Sequence, residues 1–184
     1  RDFCLSRGLG DVYKRQNQNQ EAGWVKSEEI TEEKFSKFGD FINPYSVEST
    51  NINLNTTKSY FDLANIEING ADKRVRLNLF EATKRIFPLK IDMLENHPFS
   101  SQVFLPLGNY PFIVVVCPIN EKPNLNDLII FRVDSGFGVN FKPGVWHFPL
   151  ISTEDMNFLV VDRKGSGENL VVENLDKEEI VLKY

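Results

Sequence analysis

Residues 75–80 read Val-Arg-Leu-Asn-Leu-Phe, with apolar and polar positions alternating for most of the segment. That two-residue period predicts a half-buried strand whose outward face is polar. Phe87, Leu89, Ile91 and Met93 alternate in the same way along 87–95 and predict a second extended segment. Further strand candidates cover 103–107, 112–117, 128–133, 145–150, 158–162 and 169–172, many of them separated by Gly, Pro or Asn. One stretch carries helix signals instead. Thr31 is an N-cap residue followed by Glu32 and Glu33, Phe35 and Phe38 are three apart, and Gly39 supplies a stop. The expected fold is mainly β, a sandwich or barrel of the jelly-roll kind, with a short N-terminal helix.

A chain of 184 residues suits a single domain that buries roughly two-thirds of its unfolded surface. Hydrophobic content of 41% and fifteen phenylalanines supply the bulk for a β-rich core. Residues 1–16 read as a translated sequencing adapter and are set aside from the fold; 17–30 form a polar lead-in and 31–184 the domain. Without the four basic and two acidic residues of 1–16, the chain has 17 Lys+Arg against 24 Asp+Glu, and its formal charge moves from −5 to −7. An acidic chain of this kind is not expected to bind nucleic acid, which needs clustered cations. Cys4 and Cys117 are too few for a disulfide framework, and Cys117 lies in an apolar run where a reduced, buried thiol is expected. No apolar run approaches a membrane span and the start lacks a secretory core, so a cytoplasmic setting away from membranes is expected.

Candidate chemistry gathers in two segments, Glu95-Asn-His97-Pro-Phe-Ser-Ser-Gln102 and Gly138-Val-Asn-Phe-Lys-Pro-Gly-Val-Trp-His147, which contain both histidines of the chain. Glu95 and His97 are two apart and would share one strand face, with Gln102 joining after a turn at 98–101 and His147 facing them from another strand. Taken alone, His147 reads equally well as a core histidine between Trp146 and Phe148, and Glu95 as a solvated turn carboxylate. Together, Glu95, His97, Gln102 and His147 offer oxygen and imidazole donors suited to a divalent transition metal.

Phe38-Gly39-Asp40, Tyr60-Phe-Asp-Leu-Ala64, Leu94-Glu-Asn-His-Pro98, Ser101-Gln-Val-Phe-Leu-Pro106, Gly138-Val-Asn-Phe141, Val145-Trp-His147 and Phe158-Leu-Val-Val-Asp-Arg163 appear in that order. This ordered set resembles the ureidoglycolate lyase family, formerly ureidoglycolate hydrolase, over roughly 35–172. The resemblance implies a cupin-like β-barrel (a double-stranded β-helix) and a homodimer. It also implies cleavage of (S)-ureidoglycolate to glyoxylate and urea in allantoin and purine-nitrogen breakdown. The site is similar to a worn cupin pattern: Glu95 and His97 stand in the two histidine positions, Gln102 in that of the glutamate, and Pro143-Gly144-x-x-His147 approximates the second motif. Metal dependence stays open on this pattern, with nickel, manganese or zinc as candidates. Glu81 departs from the family, where an arginine commonly follows the Phe of this strand.

For such a substrate the colocated groups are expected to divide the work, His147 or Glu95 taking the hydroxyl proton and His97 helping to protonate the departing nitrogen. Arg163 is expected to clamp the substrate carboxylate, or else to form a surface ion pair, while Asn140 and Gln102 orient the amide end. The competing readings are another cupin-type lyase or isomerase of small hydroxy acids, and a ligand-binding module without turnover.

Overall fold

The computed structural model describes residues 24–175 and 180–184. The adapter-like segment 1–16, with Cys4, and the lead-in as far as Gly23 lie outside the described residues. In chain order the strands are β1 (Trp24–Val25), β2 (Glu28–Glu29), β3 (Gly39–Ile42), β4 (Thr50–Ile52), β5 (Thr57–Ser59), β6 (Arg74–Ala82), β7 (Leu89–Lys90) and β8 (Met93–Asn96). They continue with β9 (Gln102–Pro106), β10 (Phe112–Cys117), β11 (Ile129–Val133), β12 (Gly138–Phe141), β13 (Trp146–His147), β14 (Ile151–Ser152), β15 (Met156–Lys164), β16 (Val171–Asn174) and β17 (Val181–Leu182).

Helix α1 (Glu32–Phe35) begins where its signals place it, with the Thr31 hydroxyl accepting from the Lys34 amide. It is one turn long, because the chain enters β3 at Gly39. Gly39 lies opposite Phe141 on β12, and a Cβ there would stand 1.8 Å from the Asn140 carbonyl oxygen.

Two sheets face each other. One runs β16-β8-β13-β10-β11-β2 with β14 also on β10, the other β3-β12-β9-β15-β6. The chain crosses between them repeatedly: β8 lies in the first, β9 in the second, β10 and β11 in the first, β12 in the second, β13 in the first and β15 in the second. Neighbours within this central block are antiparallel. That alternation is the double-stranded β-helix of a cupin-like barrel.

β10 shows why an unbroken apolar run belongs here. Phe112, Val114 and Val116 point between the sheets, into a core with Phe35, Phe38, Phe104, Phe131, Phe141 and Phe158. Ile113, Val115 and Cys117 point the other way, into a second cluster with Ile91, Leu94, Trp146 and Phe148. This second cluster includes Leu182 of β17, which pairs with β1 and β7 in a small third sheet. A strand buried on both faces has no use for polar alternation.

Three expectations need correction. Residues 87–95 are not one extended segment; the chain breaks between β7 and β8, and Phe87-Pro88 is cis. The 145–150 segment keeps ladder pairing only at Trp146–His147, and pairing resumes at Ile151. β6 is a strand, but its faces are reversed: Val75, Leu77 and Leu79 are 50%, 66% and 57% exposed. Arg76 and Asn78 instead lie on the inner face, opposite Asp162 and Val160. The reversal has a physical reason, because Asp162 supplies an inner partner for both polar side chains.

Candidate active site

The ladder register decides which side chains enter the barrel. His147 lies opposite Val116 on one side and Glu95 on the other, so both share the inner face with the aromatic core. His97, two residues beyond Glu95, comes to the same side. The two imidazole centroids are 5.3 Å apart, and one ligand-type atom from each of Glu95, His97 and His147 falls within 4.8 Å of the others. Glu95 Oε1 is 3.7 Å from His147 Nε2. Gln102 is also inward: it pairs with Phe141, and the Phe141 ring stacks on His147 at 4.5 Å and 20°. Phe141, a member of the aromatic core, therefore also sets the plane of a functional ring.

Both imidazoles are held at the same nitrogen. His97 Nδ1 lies 2.6 Å from the Asn169 carbonyl and His147 Nδ1 lies 3.0 Å from that of Val145. A carbonyl can only accept, so each ring keeps its hydrogen on Nδ1 and turns the Nε2 lone pair inward. Among the described residues, His97 Nε2, His147 Nε2 and Gln102 Oε1 are buried acceptors without a hydrogen-bond partner. Buried polar atoms are rarely left so. Two converging imidazole acceptors beside a carboxylate, with Gln102 on the same inner face, fit a divalent cation, and equally a substrate that brings its own hydroxyl and N–H groups.

Burial dominates the electrostatics. It pushes the His147 imidazolium down to about 3, with His97 adding repulsion and the Val145 carbonyl opposing both. Burial also raises the Glu95 carboxyl above its ordinary value, against the pull of His97. Neither group gives up its neutral form readily.

Asn140 and Arg163 do not join this group, because each neighbours an inward residue and strand alternation turns it outward. Asn140 pairs with Val103 on the outer face of the second sheet, and its Nδ2 donates to Asp40 Oδ2 and the Asn65 carbonyl. Arg163 spends its donors on the carbonyls of Asn69, Ala71 and Ser166, with its guanidinium over the Phe99 ring. These contacts bind the 65–71 segment and its neighbours to the sheet, which is different work from holding a substrate. The segment containing Tyr60-Phe-Asp-Leu-Ala64 thus leads into an outer brace, further fixed by the Asn65 amide donating to Asp40 Oδ2 and the Glu67 amide to Ser101 Oγ.

Sequence reasoning passed over Asn169 and the inward group Arg76, Asn78 and Asp162. Asn169 fixes His97 through its carbonyl while its side chain accepts from the Phe99 amide and donates to Ser100. Asp162 receives Arg76 Nε at 2.8 Å, Arg76 Nη2 at 2.9 Å and Asn78 Nδ2 at 3.0 Å. The polar positions of β6 were the available signal, since an inner face can be polar where a barrel holds a site.

Residues 22–182 match the family model described as ureidoglycolate lyase. A ureidoglycolate lyase of Burkholderia mallei is 40% identical over 149 residues, 80% of this chain and 87% of its own. One of Stutzerimonas stutzeri is 41% identical over 143 residues, 77% and 84% of the two chains. One of Pseudomonas putida is 36% identical over 156 residues, 84% and 93%. A solved chain of Bacillus subtilis oxalate decarboxylase aligns over 55% of this chain and 24% of its own, at 12% identity and a TM-score of 0.34. With a family model spanning nearly all the described residues and relatives matched over most of their length, the chain belongs to the ureidoglycolate lyase family.

Proposed function

We propose that this chain, through the domain of residues 31–184, cleaves (S)-ureidoglycolate to glyoxylate and urea in the breakdown of allantoin. The observation that carries the reading is the meeting of two inward Nε2 lone pairs with the Glu95 carboxyl inside a barrel of this family. Ureidoglycolate holds a hydroxyl and a ureido nitrogen on one carbon. Cleavage turns that C–O bond into the glyoxylate carbonyl, sends the C–N electron pair to nitrogen, and moves one proton from oxygen to nitrogen. Water is not consumed.

His147 Nε2 or the Glu95 carboxylate takes the hydroxyl proton and hands it to the His97 Nε2 lone pair, from which it passes to the leaving nitrogen. A proton on His147 is held weakly because its surroundings disfavour the cation, so it passes on readily. The Phe141 stack and the two backbone carbonyls keep both rings oriented. Gln102 Oε1 can accept from an N–H of the urea half. Glu95, His97 and His147, with Gln102, would hold a divalent metal, which when bound supplies Lewis-acid polarisation of the substrate oxygens.

Glu81, the departure from the family, pairs with Asn157 on the outer face of β6 and so does not enter the barrel of this chain. Its charge leaves the inner chemistry unaltered, which favours the lyase over another hydroxy-acid enzyme. The reading includes a homodimer, for which the exposed Val75, Leu77 and Leu79 on the edge strand β6 offer a surface. It also includes a cytoplasmic setting, in keeping with the buried free thiol of Cys117, which burial pushes up to about 12.

The test is urea release from (S)-ureidoglycolate by His97→Ala and His147→Ala proteins, with folding checked by circular dichroism. Turnover is expected to vanish in both; near wild-type rates in both would reject the assignment.

A further inference from the structure

The two inward imidazoles are held by unlike means. His147 Nδ1 donates to the Val145 carbonyl, two residues away on the same stretch of chain. His97 Nδ1 donates at 2.6 Å to the Asn169 carbonyl, 72 residues away in sequence, in the link between β15 and β16. A local bond of the first kind travels with its strand. One made across the fold lasts only while the link stays pinned to the turn that follows His97.

The Asn169 side chain is that pin. Its Oδ1 accepts from the Phe99 amide at 2.7 Å and its Nδ2 donates to the buried Ser100 Oγ at 2.9 Å. Carbonyl and carboxamide together therefore grip His97, Phe99 and Ser100 at once. A carboxamide suits this work because it carries an acceptor and a donor on one rigid plane. The link also lies close over the same turn: a Cβ on Gly167 would stand 3.2 Å from the Phe99 ring, and the Arg163 guanidinium that covers this ring binds the Ser166 carbonyl.

What the grip controls is the place of one hydrogen. With Nδ1–H fixed on a carbonyl, His97 Nε2 keeps a lone pair directed at the Glu95 and His147 group. Released from that carbonyl, the neutral ring can carry its hydrogen on Nε2 instead, and then offers no acceptor there to a proton or to a cation. We propose that Asn169 is a positioning residue for the lyase reaction, holding His97 in the Nδ1–H tautomer and in its inward orientation. The proposal rests on the lyase reading for its kinetic consequence, while the tautomer is read without substrate.

The experiment reads the isotope-labelled ring nitrogens of the two histidines by NMR in metal-free protein in chelator, at about pH 8, above the ordinary imidazole range. It also measures kcat and KM for urea release from (S)-ureidoglycolate. In wild type both rings should show a protonated Nδ1 and a bare Nε2. In Asn169→Ala, which deletes both side-chain bonds, the His97 ring should move toward the Nε2–H form while the His147 ring stays as it was. In that variant kcat should fall roughly tenfold to a hundredfold, with KM changing less than about threefold. Asn169→Asp, whose carboxylate accepts from the Phe99 amide and from a Ser100 hydroxyl turned to donate, should return the His97 ring to the wild-type form. Ser100→Ala removes one bond of the grip and serves where Asn169→Ala does not fold; it should move the His97 ring in part and lower kcat several-fold. A His97 ring unmoved in folded variants, a His147 ring that moves equally, or a kcat within about twofold of wild type in Asn169→Ala would overturn the proposal. A wild type that releases no urea, with its His97 ring still governed by Asn169, would instead overturn the lyase reading and leave the positioning role standing.

Discussion

The sharpest consequence of the site is a penalty on stability in acid. His147 is 2% exposed, and its imidazolium is driven down to about 3, whereas in the unfolded chain it titrates near 6.5. Between those values the unfolded state binds a proton that the native state refuses, so native stability falls as pH drops through about 6.5. From pH 7.5 to pH 5.0 the loss amounts to about 2 kcal/mol, at 1.36 kcal/mol for each pH unit below the unfolded value. Glu95 acts in the opposite sense: its raised carboxyl gains a proton in the native state first, which adds stability on acidification. The wild-type curve alone mixes the two effects, and a comparison with His147→Gln separates them. The glutamine cannot titrate, so the stability gap between wild type and variant should narrow by about 2 kcal/mol over this range. Urea unfolding of metal-free protein in chelator at pH 7.5, 6.5 and 5.0 measures it, as a differential midpoint shift of about 1 M for a slope near 2 kcal/mol/M. A gap independent of pH would refute the claim that the buried ring stays neutral.

Two further outcomes follow from the fold. Gly39→Ala should cost about 2–4 kcal/mol in urea unfolding, because the added Cβ overlaps the Asn140 carbonyl oxygen and cannot be relieved without parting β3 from β12; a cost under about 0.5 kcal/mol would contradict that packing. Leu77→Glu/Leu79→Glu should convert a dimer to a monomer in analytical ultracentrifugation while urea release per chain persists, and an unchanged sedimentation coefficient would remove the outer face of β6 from the interface.

Much of the barrel can be read from alternation and turn residues: β9, β10, β11 and β15 form where apolar runs end in Gly, Pro or Asn. Convergence of Glu95, His97 and His147 was also legible, because spacing by two fixes a shared face and only two histidines had to be placed. What alternation cannot supply is the absolute phase. Val75, Leu77 and Leu79 look like a core-facing row until Asp162 on the neighbouring strand gives Arg76 and Asn78 an inner partner. The same gap misplaced Asn140 and Arg163, each adjacent in sequence to an inward residue and for that reason pointing away from it. A short strand such as β12 escapes composition altogether, since it is held by its neighbours in the sheet rather than by propensity.

Asp162 and Arg163 are consecutive, yet one steadies a guanidinium inside the barrel and the other ties down the loop at 69–71 outside it. Loosening that loop from without can therefore tilt Asp162 within, so the inner lining of this strand is open to changes made on the outer surface. Variants of the outer brace are the place to look for a lining that shifts while its interior stays letter-for-letter the same.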